Sequence, residues 1–259
     1  MKYLRIILLI GIFSSCDTFF EFSVYEASVT KENRNTTFKN LELLNNIQVS
    51  SQDFKFAFIT DTHYFYNNLK IIIDDINKKE DILFVLVGGD ITEQGVLKEY
   101  QLFYDIIKNL EKPYLTVIGN HDYKSNGGVI YKRMFGDYNY SFKVNNNKFI
   151  LFDNTVWESN KEPDFDWLSM ELNNSKMFNQ IFVVAHMPPS TEQFNDDMKE
   201  TYKSLLYENN VSLSIHGHTH NYFYEKNTVD YLTVPTIKKS TYCIVNVQNE
   251  SYTIEMIAL

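Results

Sequence analysis

The sequence predicts an α/β fold built on either one mixed β-sheet or two packed β-sheets. Short apolar runs alternate with helical patterns from residue 54 onward, and the segment after residue 229 consists of further strand patterns. No linker long enough to divide the chain interrupts these patterns. With 259 residues, of which 44% are hydrophobic and 22% charged, the chain is long enough to bury a large core in one domain.

The first 15 residues predict a signal peptide, because Lys2 and Arg5 precede a short apolar run at residues 6–13. This run falls well short of the ~20 residues that a membrane-spanning helix needs. Cleavage before Cys16 resembles the lipobox of bacterial lipoproteins, although Phe13 replaces the usual leucine. A lipid on Cys16 would anchor the mature chain to a membrane of the bacterial cell envelope, facing the periplasm or the cell surface. The alternative is an ordinary secretory signal.

The sequence pattern predicts that residues 16–50 form an N-terminal strand and a polar connection, which pack on a main domain at 51–259. The strand is indicated by the alternation of Phe20, Phe22 and Val24, and the connection by the polar residues 30–40. Cys243 lies in an apolar run and is expected to be a buried thiol, since an acylated Cys16 could not pair with it.

The main domain begins with an alternation of strands and helices. Apolar runs predict buried strands, and apolar residues at helical spacing predict the helices between them. The predicted strands are residues 54–60, 82–88, 114–119, 180–185 and 211–215, with a hairpin at 138–152 and tail strands at 230–235, 241–247 and 252–258. Four helices are predicted. The first contains Leu69, Ile72, Ile73 and Ile76, the second spans 95–110, the third starts near Asp166, and the fourth spans about 197–208.

Unusual polar residues follow five of these strands and include all six histidines of the chain. Ligands in open α/β sheets bind beyond the carboxyl ends of the strands, and scattered structural histidines have no reason to share one edge. The residue types supply oxygen and nitrogen ligands without sulfur, which fits two divalent metal ions. The segments are Asp61-Thr62-His63, Gly89-Asp90, Asn120-His121-Asp122, His186 and His216-Gly217-His218-Thr219-His220.

The order of these motifs resembles the calcineurin-like metallophosphoesterase superfamily. The motifs are Asp61-x-His63, Gly89-Asp90, Gly119-Asn120-His121-Asp122, His186 and Gly217-His218-x-His220. The resemblance implies two packed mixed β-sheets flanked by helices. It also implies a phosphatase or phosphodiesterase that binds two divalent ions (Mn, Fe or Zn) and uses a metal-bridging hydroxide as its nucleophile.

The resemblance also implies a role for each motif residue. Asp61, His63 and His220 would hold the first metal; Asn120, His186 and His218 would hold the second; and Asp90 would bridge both. His121 would be the catalytic histidine near the leaving group, and Asp122 would orient its ring.

Two further residues are interpreted against the family pattern. His216 matches no ligand position, so we expect it to support the site structurally through hydrogen bonds. Glu93 stands where the related purple acid phosphatases have a tyrosine ligand, which argues against a tyrosinate-bound ferric ion. We expect Glu93 to anchor its loop or to bind a ligand residue by a hydrogen bond.

The charge of the chain limits its partners. A net charge of −9 and the absence of any long basic run argue against general nucleic-acid binding. The expected partner is therefore a small phosphoester substrate. Two alternatives stay open at this point: a lipoprotein that binds metal but has lost catalysis, and an extracytoplasmic nuclease.

Overall fold

The computed structural model describes residues 23, 25–47, 51–175 and 177–259. The predicted signal peptide, Cys16 and the strand residues Phe20, Phe22 and Val24 lie outside these residues. Among the described residues, no helix is both long and apolar enough to cross a bilayer.

The first sheet has five strands: β1 (Phe54–Ile59), β2 (Ile82–Val87), β3 (Tyr114–Thr116), β10 (Thr241–Gln248) and β11 (Ser251–Ala258). Their order is β11-β10-β1-β2-β3. The central strands β1, β2 and β3 are parallel, whereas β10 is antiparallel to both β1 and β11. The carboxyl ends of the three parallel strands therefore lie at one edge of this sheet.

The second sheet has six strands: β4 (Tyr140–Val144), β5 (Asn147–Leu151), β6 (Gln180–Val184), β7 (Leu213–His216), β8 (Phe223–Glu225) and β9 (Asp230–Thr233). Their order is β4-β5-β6-β7-β9-β8. The four inner strands are parallel, and β4 and β8 are antiparallel edge strands.

In the described part of the chain, six α-helices accompany the sheets: α1 (Thr36–Asn46), α2 (Tyr66–Asn77), α3 (Leu97–Ile107), α4 (Gly127–Met134), α5 (Phe165–Asn173) and α6 (Asp196–Glu208). Short 3-10 helices span His121–Tyr123 and Ile237–Lys239. Helices α2, α3 and α4 pack with the first sheet in one apolar cluster, and α5 and α6 pack with the second sheet in another.

The two sheets pack against each other through alternate residues of their strands. In β1, Phe56 and Phe58 belong to the core between the sheets, whereas Ala57 and Ile59 belong to the core beneath the helices. The Phe56 ring lies 5.6 Å from that of Phe182 in the opposite sheet. Burial on both faces explains the continuous apolar runs of the sequence. The predicted fold of two packed sheets flanked by helices is confirmed.

The prediction of a polar connection at residues 30–40 is wrong in its second half, because helix α1 begins at Thr36. Its buried positions include the polar residues Thr36, Thr37 and Asn40, so the apolar pattern that normally indicates a helix is weak. Thr36 Oγ1 donates to Met134 O at 3.1 Å, and Asn40 Oδ1 accepts from Tyr114 N at 2.9 Å. These hydrogen bonds hold α1 against the domain. Cys243 is fully buried, as predicted.

Candidate metal centre

The seven ligand residues predicted from the sequence lie together where β1, β2, β6, β7 and the segment after β3 end. Ligand atoms of Asp61, His63 and His220 lie within 4.8 Å of one another, and so do those of Asp90, His186 and His218. Asn120 joins the second group, because its Oδ1 lies 3.1 Å from His218 Nδ1. These two groups contain residues that the family resemblance assigns to the two ions, with Asp90 in the second group. A third group, His63, Glu93 and His121, shares His63 with the first.

The backbone at this edge adopts unusual conformations. Asp61, Asp90, His218 and His220 have φ values of 53°, 50°, 69° and 58°, in the left-handed region that non-glycine residues seldom occupy. Each such conformation costs on the order of 1–3 kcal/mol and persists only where the surroundings fix it. Four of the seven ligand positions are strained, which indicates that their side-chain directions are maintained at a cost in folding stability.

Glycine is required where the loops meet most closely. A Cβ on Gly217 would lie 2.1 Å from Thr60 Oγ1 and 2.5 Å from Asp61 Oδ2. At Gly89, where φ is +91°, a Cβ would lie 2.8 Å from His186 Nδ1. Both glycines therefore let ligand-bearing loops from different strands approach each other.

Several buried polar atoms at the centre lack partners, which fits the binding of cations. Among the described residues, Asp61 Oδ1, His63 Nε2 and His186 Nε2 are buried without a hydrogen bond. An unsatisfied buried polar group costs about 1–3 kcal/mol, so such atoms call for a ligand. His220 Nε2 lies 3.2 Å from Asp61 Oδ1, and His186 Nε2 lies 3.2 Å from Asp90 Oδ2. These separations resemble the roughly 3 Å between two ligand atoms on one ion.

The other polar atom of each of these ligands is already engaged. His63 Nδ1 lies 2.7 Å from Glu93 Oε2, and His186 Nδ1 lies 2.7 Å from Gly88 O. Both rings therefore carry a proton on Nδ1 and present Nε2 to an ion. Asp61 Oδ2 accepts hydrogen bonds from Thr60 Oγ1 and from the His218 amide, so Oδ1 is the oxygen available to an ion. The nitrogen and oxygen donors suit a divalent ion such as Mn, Fe or Zn.

Asp122 differs from its expected role. Its carboxylate accepts hydrogen bonds from Gly119 N, Ile91 N, Thr92 N and Thr92 Oγ1 at 2.8–3.2 Å, and none of them involves the His121 ring. The reason is local: His121 and Asp122 begin a 3-10 helix, so their side chains point in different directions. Asp122 thus fixes the loops after β2 and β3 and does not orient His121.

The His121 ring is instead surrounded by Glu93 and Lys124. Its Nδ1 lies 3.1 Å from the Glu93 carbonyl oxygen, 2.9 Å from Glu93 Oε2 and 2.8 Å from Lys124 Nζ. The ring lies 5.2 Å from that of His63 and is 26% exposed, so it lies beside the first ligand group at the mouth of the centre. Glu93 contacts both histidines, consistent with its expected hydrogen bond to a ligand residue.

Charges within the centre shift several pKa values. Burial opposes ionisation of Asp90, but His186, His121 and His63 outweigh it and lower the Asp90 pKa below its usual range. Burial alone would lower the His186 pKa, but the Asp90 carboxylate raises it to about 10. Burial and the charge of His186 lower the His218 pKa to about 4. Without an ion, the Asp90–His186 pair therefore holds a proton that an incoming cation must displace.

His216 has a structural role, as expected. Its Nε2 lies 2.8 Å from Ser214 Oγ and its Nδ1 lies 3.0 Å from Ala185 O. Burial lowers its pKa to about 3, so the ring is neutral at physiological pH. With both nitrogens engaged, His216 ties β7 to the end of β6 beneath the ligand loops.

Three residues outside the motifs lie around this centre: Glu158 contacts Asn120, Gln193 contacts Glu158, and Lys124 contacts His121. Glu158 accepts a hydrogen bond from Asn120 Nδ2 at 2.8 Å and another from Gln193 Nε2 at 3.2 Å. These contacts turn the Asn120 Oδ1 toward His218. Glu158 and Gln193 lie in loops without a recognisable motif, so no sequence signal marked them. Lys124, the third, follows His121 by three residues, a spacing that brings side chains together in a 3-10 helix.

Comparison with known proteins gives consistent matches over the same region. The calcineurin-like phosphoesterase family model matches residues 54–222. A probable cyclic nucleotide phosphodiesterase of Xenorhabdus bovienii is 25% identical over 173 residues, which cover 60% of this chain and 69% of that protein. A probable glycerophosphodiester phosphodiesterase of Arcobacter nitrofigilis is 29% identical over 143 residues, which cover 50% of each chain.

Solved structures share the fold at low sequence identity. A dimetal phosphatase from Danio rerio superimposes with a TM-score of 0.66 at 13% identity, covering 79% of this chain and 96% of that chain. A purple acid phosphatase from yellow lupin (Lupinus luteus) seeds gives a TM-score of 0.62 at 16% identity, covering 81% of this chain and 52% of that chain. These matches establish a common architecture.

Proposed function

Because the chain belongs to the calcineurin-like phosphoesterase family, we propose that it is a phosphoester hydrolase whose activity depends on two divalent metal ions. The main support is the pair of ligand groups at one edge of the sandwich, which include buried nitrogen and oxygen atoms without a hydrogen bond. Two groups side by side suit the two-ion sites that hydrolyse phosphoesters.

The two ions would have separate sets of ligands joined by one carboxylate. Asp61, His63 and His220 would hold the first ion, and Asn120, His186 and His218 the second. Asp90 is the proposed bridge, as the family pattern implies, and its Oδ2 lies 3.2 Å from His186 Nε2 in the second group. An Asp90 carboxylate that stays ionised at all physiological pH values suits contact with two cations.

The chemistry divides between the ions and the chain. When bound, two divalent ions activate a water molecule and neutralise charge on the phosphate. Glu93 and the Gly88 carbonyl keep His63 and His186 in the tautomer that leaves Nε2 free. His121 would donate a hydrogen bond or a proton to the departing oxygen, a contribution of about 10²–10⁴-fold in rate.

The substrate we propose is a small phosphodiester. The two curated relatives are both named as probable phosphodiesterases. The His220 side chain is 45% exposed, so the centre opens to solvent and admits a soluble molecule. A nuclease is less well supported, because the net charge of −9 provides little attraction for a polyanion.

The test compares metal-free and metal-loaded protein on a panel of nucleotides, glycerophosphodiesters, sugar phosphates and aryl phosphates. Chelation should abolish hydrolysis, and Mn²⁺, Zn²⁺ or Fe²⁺ should restore it to different extents. Asp90→Asn should lose activity, whereas Asp105→Asn, at an exposed aspartate paired with Lys108, should keep it. Full activity in metal-free protein, or metal binding without turnover of any substrate, would contradict the proposal.

We also propose that a signal peptide at residues 1–15 is removed and that Cys16 carries a lipid, which anchors the domain at the cell envelope. The support is the sequence pattern alone: a charged start, a short apolar run and a cysteine after two small residues. The wild-type protein should incorporate labelled fatty acid and partition into detergent, and Cys16→Ser should not. An unlabelled wild-type protein in the soluble fraction would identify an ordinary secretory signal.

A further inference from the structure

A lysine that the family motifs do not include contacts the proposed catalytic histidine. Lys124 Nζ lies 2.8 Å from His121 Nδ1 and 3.7 Å from Glu93 Oε1. The Lys124 amide donates to His121 O at 3.2 Å, which closes the 3-10 turn and places both side chains on one face. The contact therefore follows from the local backbone.

The position of Lys124 is fixed by the neighbouring loop. Its carbonyl oxygen accepts a hydrogen bond from Gly127 N at 2.8 Å. A Cβ on Gly95 would lie only 2.1 Å from that same oxygen. Gly95 follows Glu93 by two residues, so the segments that carry Lys124 and Glu93 are locked together. The Lys124 backbone is thereby fixed next to the segment that carries Glu93.

Lys124 and Glu93 compete for the same ring nitrogen. An ammonium group can only donate, and a carbonyl oxygen can only accept, so His121 Nδ1 can satisfy one of them at a time. The distance to Lys124 Nζ is 2.8 Å and the distance to Glu93 O is 3.1 Å. Glu93 Oε2 also lies 2.9 Å from His121 Nδ1, and it accepts a hydrogen bond from His63 Nδ1 at 2.7 Å. Of these three contacts of His121 Nδ1, the charge-assisted one with Lys124 Nζ is the shortest.

We propose that Lys124 is a positioning residue that donates a hydrogen bond to His121 Nδ1 and so keeps the ring proton on Nε2. Nε2 is the nitrogen that faces neither Glu93 nor Lys124, and it is the one available to a departing oxygen. This inference rests on the proposed function for its catalytic consequence, but not for its structural content. The ability of His121 to donate from Nε2 would then depend on Lys124, a residue outside the motifs.

The kinetic test is a double-mutant cycle on phosphodiesters with poor and good leaving groups. Lys124→Met should lower kcat by about tenfold on the poor leaving group and less on the good one, with unchanged metal content. In a His121→Ala background, Lys124→Met should have no further effect beyond about twofold. Lys132→Met, at an exposed lysine near Asp137, is the matched control and should behave as wild type. An equal loss in both backgrounds, no loss at all, or loss of metal would overturn the proposal.

A spectroscopic test separates this inference from the proposed function. Long-range ¹H–¹⁵N spectra of zinc-loaded protein with labelled histidine report which ring nitrogen of His121 carries the proton, without any turnover. Wild-type protein should show the proton on Nε2, and Lys124→Met should shift it to Nδ1, toward Glu93. A wild-type proton on Nδ1, or the same tautomer in both proteins, would refute the role of Lys124. If no phosphoester is hydrolysed yet the tautomer depends on Lys124, only the proposed function fails.

Discussion

Replacing Glu93 tests how the first ligand group is held. The Glu93 carboxylate lies 2.7 Å from His63 Nδ1, and its side chain is 16% exposed, so water does little to screen it. Removing the partner of a metal-binding histidine typically weakens metal binding by about 10–100-fold, or roughly 1.4–2.8 kcal/mol. Glu93→Gln keeps an oxygen that can accept from His63, so we expect about tenfold; Glu93→Ala removes it and should approach a hundredfold.

The assay is a competition titration with a chromophoric chelator that resolves the two binding events. Only the first site should weaken, because the His186 ring is held by Gly88 O and not by Glu93. Glu99→Gln is the matched control: Glu99 lies in the first turn of α3, close to Glu93 in the chain, and its carboxylate accepts from the Gln94 amide. Equal weakening of both sites, or unchanged binding in Glu93→Ala, would refute the reasoning.

Three further predictions concern His121, Asp122 and pH. His121→Ala should lower kcat/KM by about 10²–10⁴-fold on an alkyl phosphoester and by less on a nitrophenyl ester, with both metals retained on elemental analysis; metal loss would contradict its assignment. Asp122→Asn leaves one acceptor oxygen for four donors. The free energy of unfolding measured in urea should therefore fall by about 2–4 kcal/mol, and activity should fall equally on both esters. A selective loss on the alkyl ester would instead show that Asp122 orients His121. Metal affinity should rise with pH by up to about tenfold per unit for each proton displaced, because the pKa of His186 is raised from 6.5 to about 10 and its proton competes with the ion below that value. Calorimetry in buffers of different ionisation enthalpy counts the released protons, and a count of zero at neutral pH would contradict the paired state of Asp90 and His186.

The sequence predicts those elements of the fold whose buried residues are apolar. Strands such as β1 and β2 are covered on both faces, so their sequences are continuous apolar runs. Helix α1 escaped prediction because polar residues occupy three of its four buried positions. Helix α4 begins with Gly127 and Gly128, which lower helix propensity and obscure the pattern.

The same distinction holds at the metal centre. The ligand residues follow strands whose ends the topology brings to one edge, so their meeting could be predicted. The partners of those ligands come from loops that meet only in three dimensions, as Glu158 does with Asn120. The direction of the Asp122 carboxylate depends on backbone amides of another loop, which no spacing in the sequence encodes.

The central claim is that the seven residues bind two ions that hydrolysis requires. Its most direct measurement is the metal content per chain of wild-type protein and of His186→Ala, determined beside kcat on the same samples. We predict two ions in the wild type, one ion in His186→Ala, and loss of activity with the second ion. Full activity with one ion or none, or two ions still bound in His186→Ala, would contradict the account.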